Sequence, residues 1–208
     1  MPMKVVGLIA EYNPFHNGHA YHIRKAKEVT GADFCIVVMS GNYVQRGTPA
    51  VISKYERTQM ALEAGADLVL ELPVSFSTSS AELFAKAAVS LLNHTGVTDS
   101  LCFGSECGDI APLEQTARIF LDEPPIFREE LQKSLREGNA YPKARNEALI
   151  QYRLKADLTS SSVESIYRAA SLLASPNNIL GIEYLKALIT SHSSITPHTI
   201  SRMGNGYH

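Results

Sequence analysis

The 208-residue chain lacks most of the features that assign a protein at a glance. It has no apolar run approaching the ~20 residues a bilayer-spanning helix requires. Nor does it open with a signal peptide, so neither membrane spanning nor export is indicated and a cytoplasmic protein is expected. Its three cysteines, Cys35, Cys102 and Cys107, form no CxxC pair, which argues against a thiolate metal site or a disulfide framework. Cys35 and Cys102 sit in apolar, strand-like runs and read as buried packing thiols. The formal net charge is only −2, so no global field draws in a polyanion. Contact with nucleic acid would need a local basic patch or a further domain. There is no internal repeat, no GxGxxG, no Walker A lysine motif and no zinc-ligand spacing. No Ser-His-Asp set can be argued from spacing. These absences favour non-covalent catalysis, by electrostatic stabilisation, over a nucleophilic residue.

What is present is concentrated in Val5–His22, VVGLIAEYNPFHNGHAYH. The run Val5–Ala10 is apolar throughout, as suits a strand covered on both faces in a parallel sheet. A polar turn follows, Glu11-Tyr12-Asn13-Pro14, with Pro14 fixing the backbone ahead of a helical pattern. His16-Asn17-Gly18-His19 opens that pattern. A helix N-terminus offers unpaired N–H groups and the positive end of a dipole. Gly18, with no side chain, lets a ligand approach the backbone. Imidazoles beside such a site can donate to phosphate oxygens as charge develops in a transition state. The arrangement therefore points to phosphate chemistry, with His16 and His19 as candidate catalytic residues.

With 45% hydrophobic residues, the chain can build one sizeable α/β core, or a core with a small helical appendage. The spacing predicts strand one over Lys4–Ala10 and helix one over His19–Thr30, with Gly31 as its C-terminal glycine. Strand two is predicted over Asp33–Ser40, followed by the polar loop GNYVQRGTPA. Gln45 and Arg46 in that loop can reach a substrate, and a solvated loop is the alternative. Ser53–Glu56 reads as a capping box opening helix two. Lys54 and Arg57 share a helical face, either as phosphate contacts or as a solvated basic face. Strand three is Leu68–Leu72, stopped by Pro73. Ser75–Ser80 reads as a polar loop and Ser79–Glu82 as a second capping box, with helix three running to His94. Strand four, Ser100–Phe103, ends at Gly104, where a nucleoside can approach closely. Helical segments near Pro112–Leu121, Ile126–Glu137, Lys143–Leu154 and Val163–Leu173 read as an insertion. Its cations are interleaved with acids and read as a solvated surface or an RNA contact. Asn178 reads as the N-cap of helix Ile179–Thr190, leaving Asn177 to face a ligand. Strand five is Ile195–Arg202. Alternating strands and helices predict a Rossmann-like parallel five-stranded sheet flanked by helices, with a helical insertion before the last strand. The polar turns at the strand ends then converge on one cleft.

His16–His19 is an HxGH motif, and the sequence here resembles the HIGH-type nucleotidyltransferase superfamily. The wider string EYNPFHNGHAYH, with MSGNYVQRGTPA, DLVLELP, SAELFAKAAVSLLN, FGSE, SPNNILGIEYLKAL and RMGNGYH, is similar to the tRNA(Met) cytidine acetate ligase family. The resemblance runs from Met3 to His208 and is least distinctive over Asp109–Ser175. It implies an α/β fold of the Rossmann-like, HUP-type class and a single catalytic domain over residues 1–208. The helical insertion would occupy residues 110–175, with the C-terminal half of the longer family members absent. It also implies an ATP-dependent ligase that activates acetate as acetyl-adenylate and passes the acetyl group to N4 of the wobble cytidine of elongator tRNA(Met). Matching motifs would place ATP against Ile9, Ala10, Glu11, Tyr12, Asn13, Pro14, Phe15, His16, Asn17, Gly18, His19, Ala20, Tyr21 and His22. Gly104, Asn177, Arg202 and Met203 would complete the pocket. Mg²⁺ is expected with the ATP, bridging its phosphates. A small-molecule adenylyltransferase of the same superfamily and a non-catalytic nucleotide- or RNA-binding module are the competing readings.

Overall fold

The apolar run Val5–Ala10 becomes the central strand. The computed structural model describes residues 3–156 and 171–201. In chain order the elements are β1 (Val5–Ala10), α1 (Asn17–Thr30), β2 (Phe34–Ser40), α2 (Lys54–Glu63), β3 (Leu68–Leu72), α3 (Val74–Ser77) and α4 (Ala81–His94). There follow β4 (Ser100–Ser105), α5 (Ile110–Asp122), α6 (Pro125–Arg136), α7 (Tyr141–Ala156), α8 (Pro176–Thr190) and β5 (Thr196–Ser201). The five strands form one sheet in the order β3-β2-β1-β4-β5, and every pair is parallel. The Rossmann-like expectation holds, with the helical insertion ahead of the last strand.

Burial on both faces explains the continuous apolar strands. Val6 and Leu8 of β1 join Cys35, Val37 and Met39 of β2 under Ile23 and Ala26 of α1 and Ala61 of α2. Val5, Ile36 and Val38 face the other way, against Phe84, Ala88 and Leu92 of α4, Leu113 of α5 and Ile182 of α8. Cys35 and Cys102 are fully buried and unoxidised, and burial pushes each thiol up to about 12, which keeps them inert. Among the described residues no helix is long and apolar enough to cross a membrane.

Local signals set most boundaries. Gly31 adopts the left-handed conformation (φ 63°) that ends α1. Ser53 and Glu56 cap each other's backbone at the start of α2. Three expectations are corrected. Ser75–Ser80 is not wholly a loop, because Val74–Ser77 forms a short helix whose buried Ser77 hydroxyl donates to the Tyr43 carbonyl at 3.0 Å. The cap of α4 is Ser80, accepting from Leu83 N, rather than a Ser79–Glu82 box. Helix α8 starts at Pro176 with Ser175 as its N-cap, not at Asn178, since proline's fixed φ suits the first turn of a helix. Of the segment expected over Val163–Leu173, residues 163–170 lie outside the described residues.

Helices α6 and α7 pack around Phe127, Leu131, Ala148 and Leu149. Arg145 of α7 joins them to the rest. Its guanidinium lies 4.8 Å from the Phe120 ring centre and 3.3 Å from the Glu183 carboxylate on α8. Several other cations of the insertion are matched by acids: Arg128 with Glu123, Lys143 with Glu147 and Lys155 with Glu130. That pairing gives the insertion the character of a solvated surface rather than a basic platform.

Candidate active site

Between β1 and α1 the chain makes a turn that is fastened from several sides. Glu11 accepts from the Gln45 backbone N–H at 2.6 Å, and Asn13 accepts from Val51 N at 2.7 Å. The Arg57 side chain, with no exposed surface, donates to the carbonyls of Ile52 at 3.1 Å, Glu11 at 2.5 Å and Ser40 at 3.0 Å, and also to Gly41. Burial lowers the Arg57 guanidinium below its ordinary value, opposed by the Glu11 and Glu71 charges. Arg57 is therefore no phosphate contact and no solvated cation. It ties together the ends of β1 and β2 and the loop that follows β2. Its expected companion Lys54 is held by Glu71 at 2.6 Å. Sequence reasoning missed this role, although Arg57 lies one turn before Ala61 on the inward stripe of α2, where a charge is out of place.

Tyr12 follows Glu11 with φ 52° and is 1% exposed. Its ring packs in the core beneath α1, its hydroxyl has no hydrogen-bond partner among the described residues, and burial raises the phenol above its ordinary value. The Tyr12 side chain is thus packed as a support for the turn. Its ring meets Phe15 and His19 edge-on, each at 4.8 Å between centres.

The two histidines start α1 in an unusual way. His16 is the N-cap, and its Nδ1 accepts from Gly18 N at 3.1 Å. In return, Nδ1 of His19 accepts from His16 N at 3.2 Å. This is a capping box built from imidazoles in place of the usual hydroxyl and carboxylate. A nitrogen that accepts from a backbone N–H offers its lone pair, so in this geometry Nε2 is the nitrogen of each ring left to carry a proton. The rings stack at 3.7 Å. The backbone thereby fixes both tautomers, making Nε2 the donor of each ring. A Cβ on Gly18 would lie 2.9 Å from His16 Cε1 and 3.0 Å from its Nδ1. Glycine is required there to seat the His16 ring, a tighter reason than ligand approach.

The other wall is built at the end of β4. Strand pairing joins β1 and β4 at Val6↔Ser100 and Gly7↔Leu101, and the same register carried forward sets Ala10 level with Gly104. The sheet order reverses here, which is where open α/β sheets hold ligands. Helix α8 runs antiparallel to the strands, so its first turn reaches this same edge. Glu106 accepts from Asn177 Nδ2 at 2.7 Å and from Asn178 N at 3.0 Å. The Asn178 side chain, 3% exposed, is drawn inward by the backbone of Glu106 and Cys107, which is why it does not cap α8. Tyr184 of α8 packs edge-on against Phe103 at 5.7 Å. Burial, and after it the Glu11 charge, raises its phenol above the ordinary value.

The structure thus brings His16, Asn17, Gly18 and His19 to the carboxyl end of β1, and Gly104 and Asn177 to the carboxyl end of β4. Pro14 is exposed on the turn; Phe15, Ala20, Tyr21 and His22 are half-buried around the start of α1. Ile9 packs toward α4 and α8 and Ala10 toward α1, each only partly buried. Glu11 and Asn13 spend acceptor oxygens on the neighbouring loop. Arg202 and Met203 directly follow β5 and lie outside the described residues. Among the described residues no group of three His, Cys, Asp or Glu side chains could hold a metal ion.

Comparison with known proteins agrees with this geometry. The chain matches the family HIGH Nucleotidyl Transferase over residues 3–208. A protein of Alkaliphilus metalliredigens named tRNA(Met) cytidine acetate ligase is 50% identical over 99% of this chain and 48% of its own length. A Clostridium perfringens protein of the same name is 52% identical over 99% of this chain and 50% of its own. The chain spans about half the length of the curated relatives it matches. A crystal structure of Thermotoga maritima TmcAL bound with alpha-thio ATP superposes with a TM-score of 0.90 at 44% identity, covering 97% of this chain and 47% of that one. A family match of this extent, carrying the two-histidine turn within it, places the chain in the HIGH nucleotidyl transferase family.

Proposed function

We propose that this chain is the nucleotide-activating unit of an ATP-dependent tRNA(Met) cytidine acetate ligase. The observation that carries the reading is the pair of stacked imidazoles at the N-terminus of α1, each engaged at Nδ1 by the backbone and so leaving Nε2 as its donor nitrogen. ATP lies in the β1/β4 cleft with its phosphates at α1. A carboxylate oxygen of acetate attacks the α-phosphorus, and pyrophosphate leaves. His16 and His19 donate from Nε2 to the oxygens on which charge builds in the pentacoordinate transition state. The backbone N–H groups of the first turn add to this stabilisation. Gly104 admits the nucleoside, Asn177 contacts it, and Arg202 with Met203, just past β5, closes the pocket. The acetyl group then passes to N4 of the wobble cytidine of elongator tRNA(Met), releasing AMP, in the cytoplasm. Mg²⁺ bound with the triphosphate would supply charge neutralisation to its phosphates. The names of the relatives and the ATP analogue in the Thermotoga structure support this assignment.

The test is acetate-dependent release of pyrophosphate from ATP, with and without tRNA. Acetate-dependent turnover that falls a hundredfold or more, roughly, in a folded His19→Ala variant is the expected result. Turnover driven by a mononucleotide instead of acetate would assign a small-molecule adenylyltransferase. ATP binding without pyrophosphate release would assign a binding module.

A further inference from the structure

Glu106 follows β4 directly and is absent from the set of residues argued above to meet the nucleotide. Its bonding is nevertheless reciprocal and specific. The carboxylate takes the Asn177 side-chain amide at 2.7 Å and the Asn178 backbone N–H at 3.0 Å. In exchange, Asn178 Oδ1 accepts from Glu106 N at 3.0 Å and Cys107 N at 3.2 Å. Four hydrogen bonds thus lock the end of β4 to the first turn of α8. Two consequences follow. First, the carboxylate takes the Asn178 N–H and sets an acceptor in the first turn of α8, which disfavours a phosphate there and leaves that role to α1. Second, an ionised carboxylate can only accept. Asn177 must therefore turn its NH₂ toward Glu106, and its Oδ1 becomes the fixed acceptor end of the amide.

We infer that Glu106 is a positioning residue that sets nucleotide specificity, holding the Asn177 amide so that Oδ1 receives a hydrogen bond from a donor on the nucleoside of ATP. The donor is either the exocyclic amine of adenine or a ribose hydroxyl; the two share the same chemistry. The inference rests on the nucleotide-binding reading above but not on acetate activation. A polar site left unpaired by an analogue that lacks the donor rejects that analogue strongly. Glu106→Gln alters this selectively, because a glutamine amide can donate to Asn177 Oδ1 and turn the asparagine over. Glu106→Asp keeps an acceptor-only partner.

The experiment is equilibrium competition of ATP, ITP (a carbonyl in place of the adenine amine) and 2′-deoxy- and 3′-deoxy-ATP against a fluorescent ATP analogue. It is run on the unaltered chain and on both variants. The unaltered chain is expected to favour ATP over either ITP or a deoxy analogue, and which one it rejects identifies the donor. Glu106→Gln should lose about tenfold of that preference, the equivalent of one hydrogen bond, while Glu106→Asp retains most of it. An unchanged ATP-to-analogue ratio in Glu106→Gln overturns the inference. So does an equal loss of affinity for every nucleotide, which marks a merely structural clamp. Failure of the unaltered chain to bind the fluorescent nucleotide removes the nucleotide-binding reading as well. Binding with normal selectivity but no pyrophosphate release would leave this inference standing and remove only the ligase assignment.

Discussion

Replacing Gly18 by alanine should separate stability from catalysis. The added Cβ would stand 2.9 Å from His16 Cε1 and 3.0 Å from Nδ1, against the ~3.5–4.0 Å of a comfortable carbon contact. The His16 ring must move by about 0.5–1 Å to restore that contact. It is not free to do so, being stacked on His19 at 3.7 Å and bonded to Gly18 N. Losing the cap bond costs about 0.5–2 kcal/mol. Alanine in place of glycine within a helix returns about 0.5–1 kcal/mol. The net change in stability therefore lies between about 0.5 kcal/mol gained and about 1.5 kcal/mol lost, and urea denaturation should show at most a modest midpoint shift with the same slope. Catalysis does not share that compensation. A displaced Nε2 donor costs about 2.7–4 kcal/mol of transition-state stabilisation, or ~10²–10³ in rate. The assay is acetate-dependent pyrophosphate exchange run beside the denaturation curve. A Gly18→Ala variant that keeps its rate within about threefold, or that loses more than about 2 kcal/mol of stability, would refute the reasoning.

Two further predictions concern the frame. Arg57→Met removes the donor that serves four carbonyls and should cost about 3–5 kcal/mol in urea denaturation, because each bond from a charged donor is worth roughly 1.5–3 kcal/mol and the sum is offset by the desolvation avoided; a loss under about 1 kcal/mol counts against the fastening role. Asp67 is pushed up by burial, but the Lys27 ammonium and the Cys35 backbone N–H outweigh this and hold its carboxyl below the ordinary 3.8. A depressed folded-state value gives stability that is present above the unfolded value and lost as pH falls through the folded one. Asp67→Asn should therefore flatten the decline in stability between about pH 5 and about pH 2, and parallel curves for the two proteins would reject the assignment.

The parts of this protein that could be read from sequence are those written in neighbouring residues. Val5–Ala10 and Leu68–Leu72 are strands because each is an apolar run ended by turn chemistry. Gly31 and the Ser53–Glu56 box mark helix ends through contacts no more than four residues apart. The HxGH turn reads as a candidate site for the same reason. What stayed hidden depends on distance along the chain. Arg57 reaches carbonyls up to 46 residues away, and Glu106 meets Asn177 across 71 residues. No spacing rule announces either pairing. The histidine capping box escaped notice because caps are sought among serine, threonine, aspartate and asparagine. Ser75–Ser80 looked like a loop because its small polar residues suit turns, yet Ser77 is buried by a bond to Tyr43 that composition does not reveal. The cap of α8 was misplaced because the Asn178 side chain answers to β4 and not to its own helix.

The imidazole pair also bears on how this end of the cleft responds to salt. The opening turn, Asn17 to Ala20, contains no lysine, arginine, aspartate or glutamate. On the proposed function, a triphosphate seated there would be held by N–H groups and a helix dipole at short range, with no lysine or arginine in that turn. Mobile ions screen exposed charges over about 8–10 Å at ordinary ionic strength but do little to a hydrogen bond at contact distance. Raising the potassium chloride concentration should therefore loosen this grip far less than it loosens a cluster of lysines. On the proposed function, any steep salt dependence in the complete reaction would belong to the capture of the polyanionic RNA, where many phosphates shed their counterions at once.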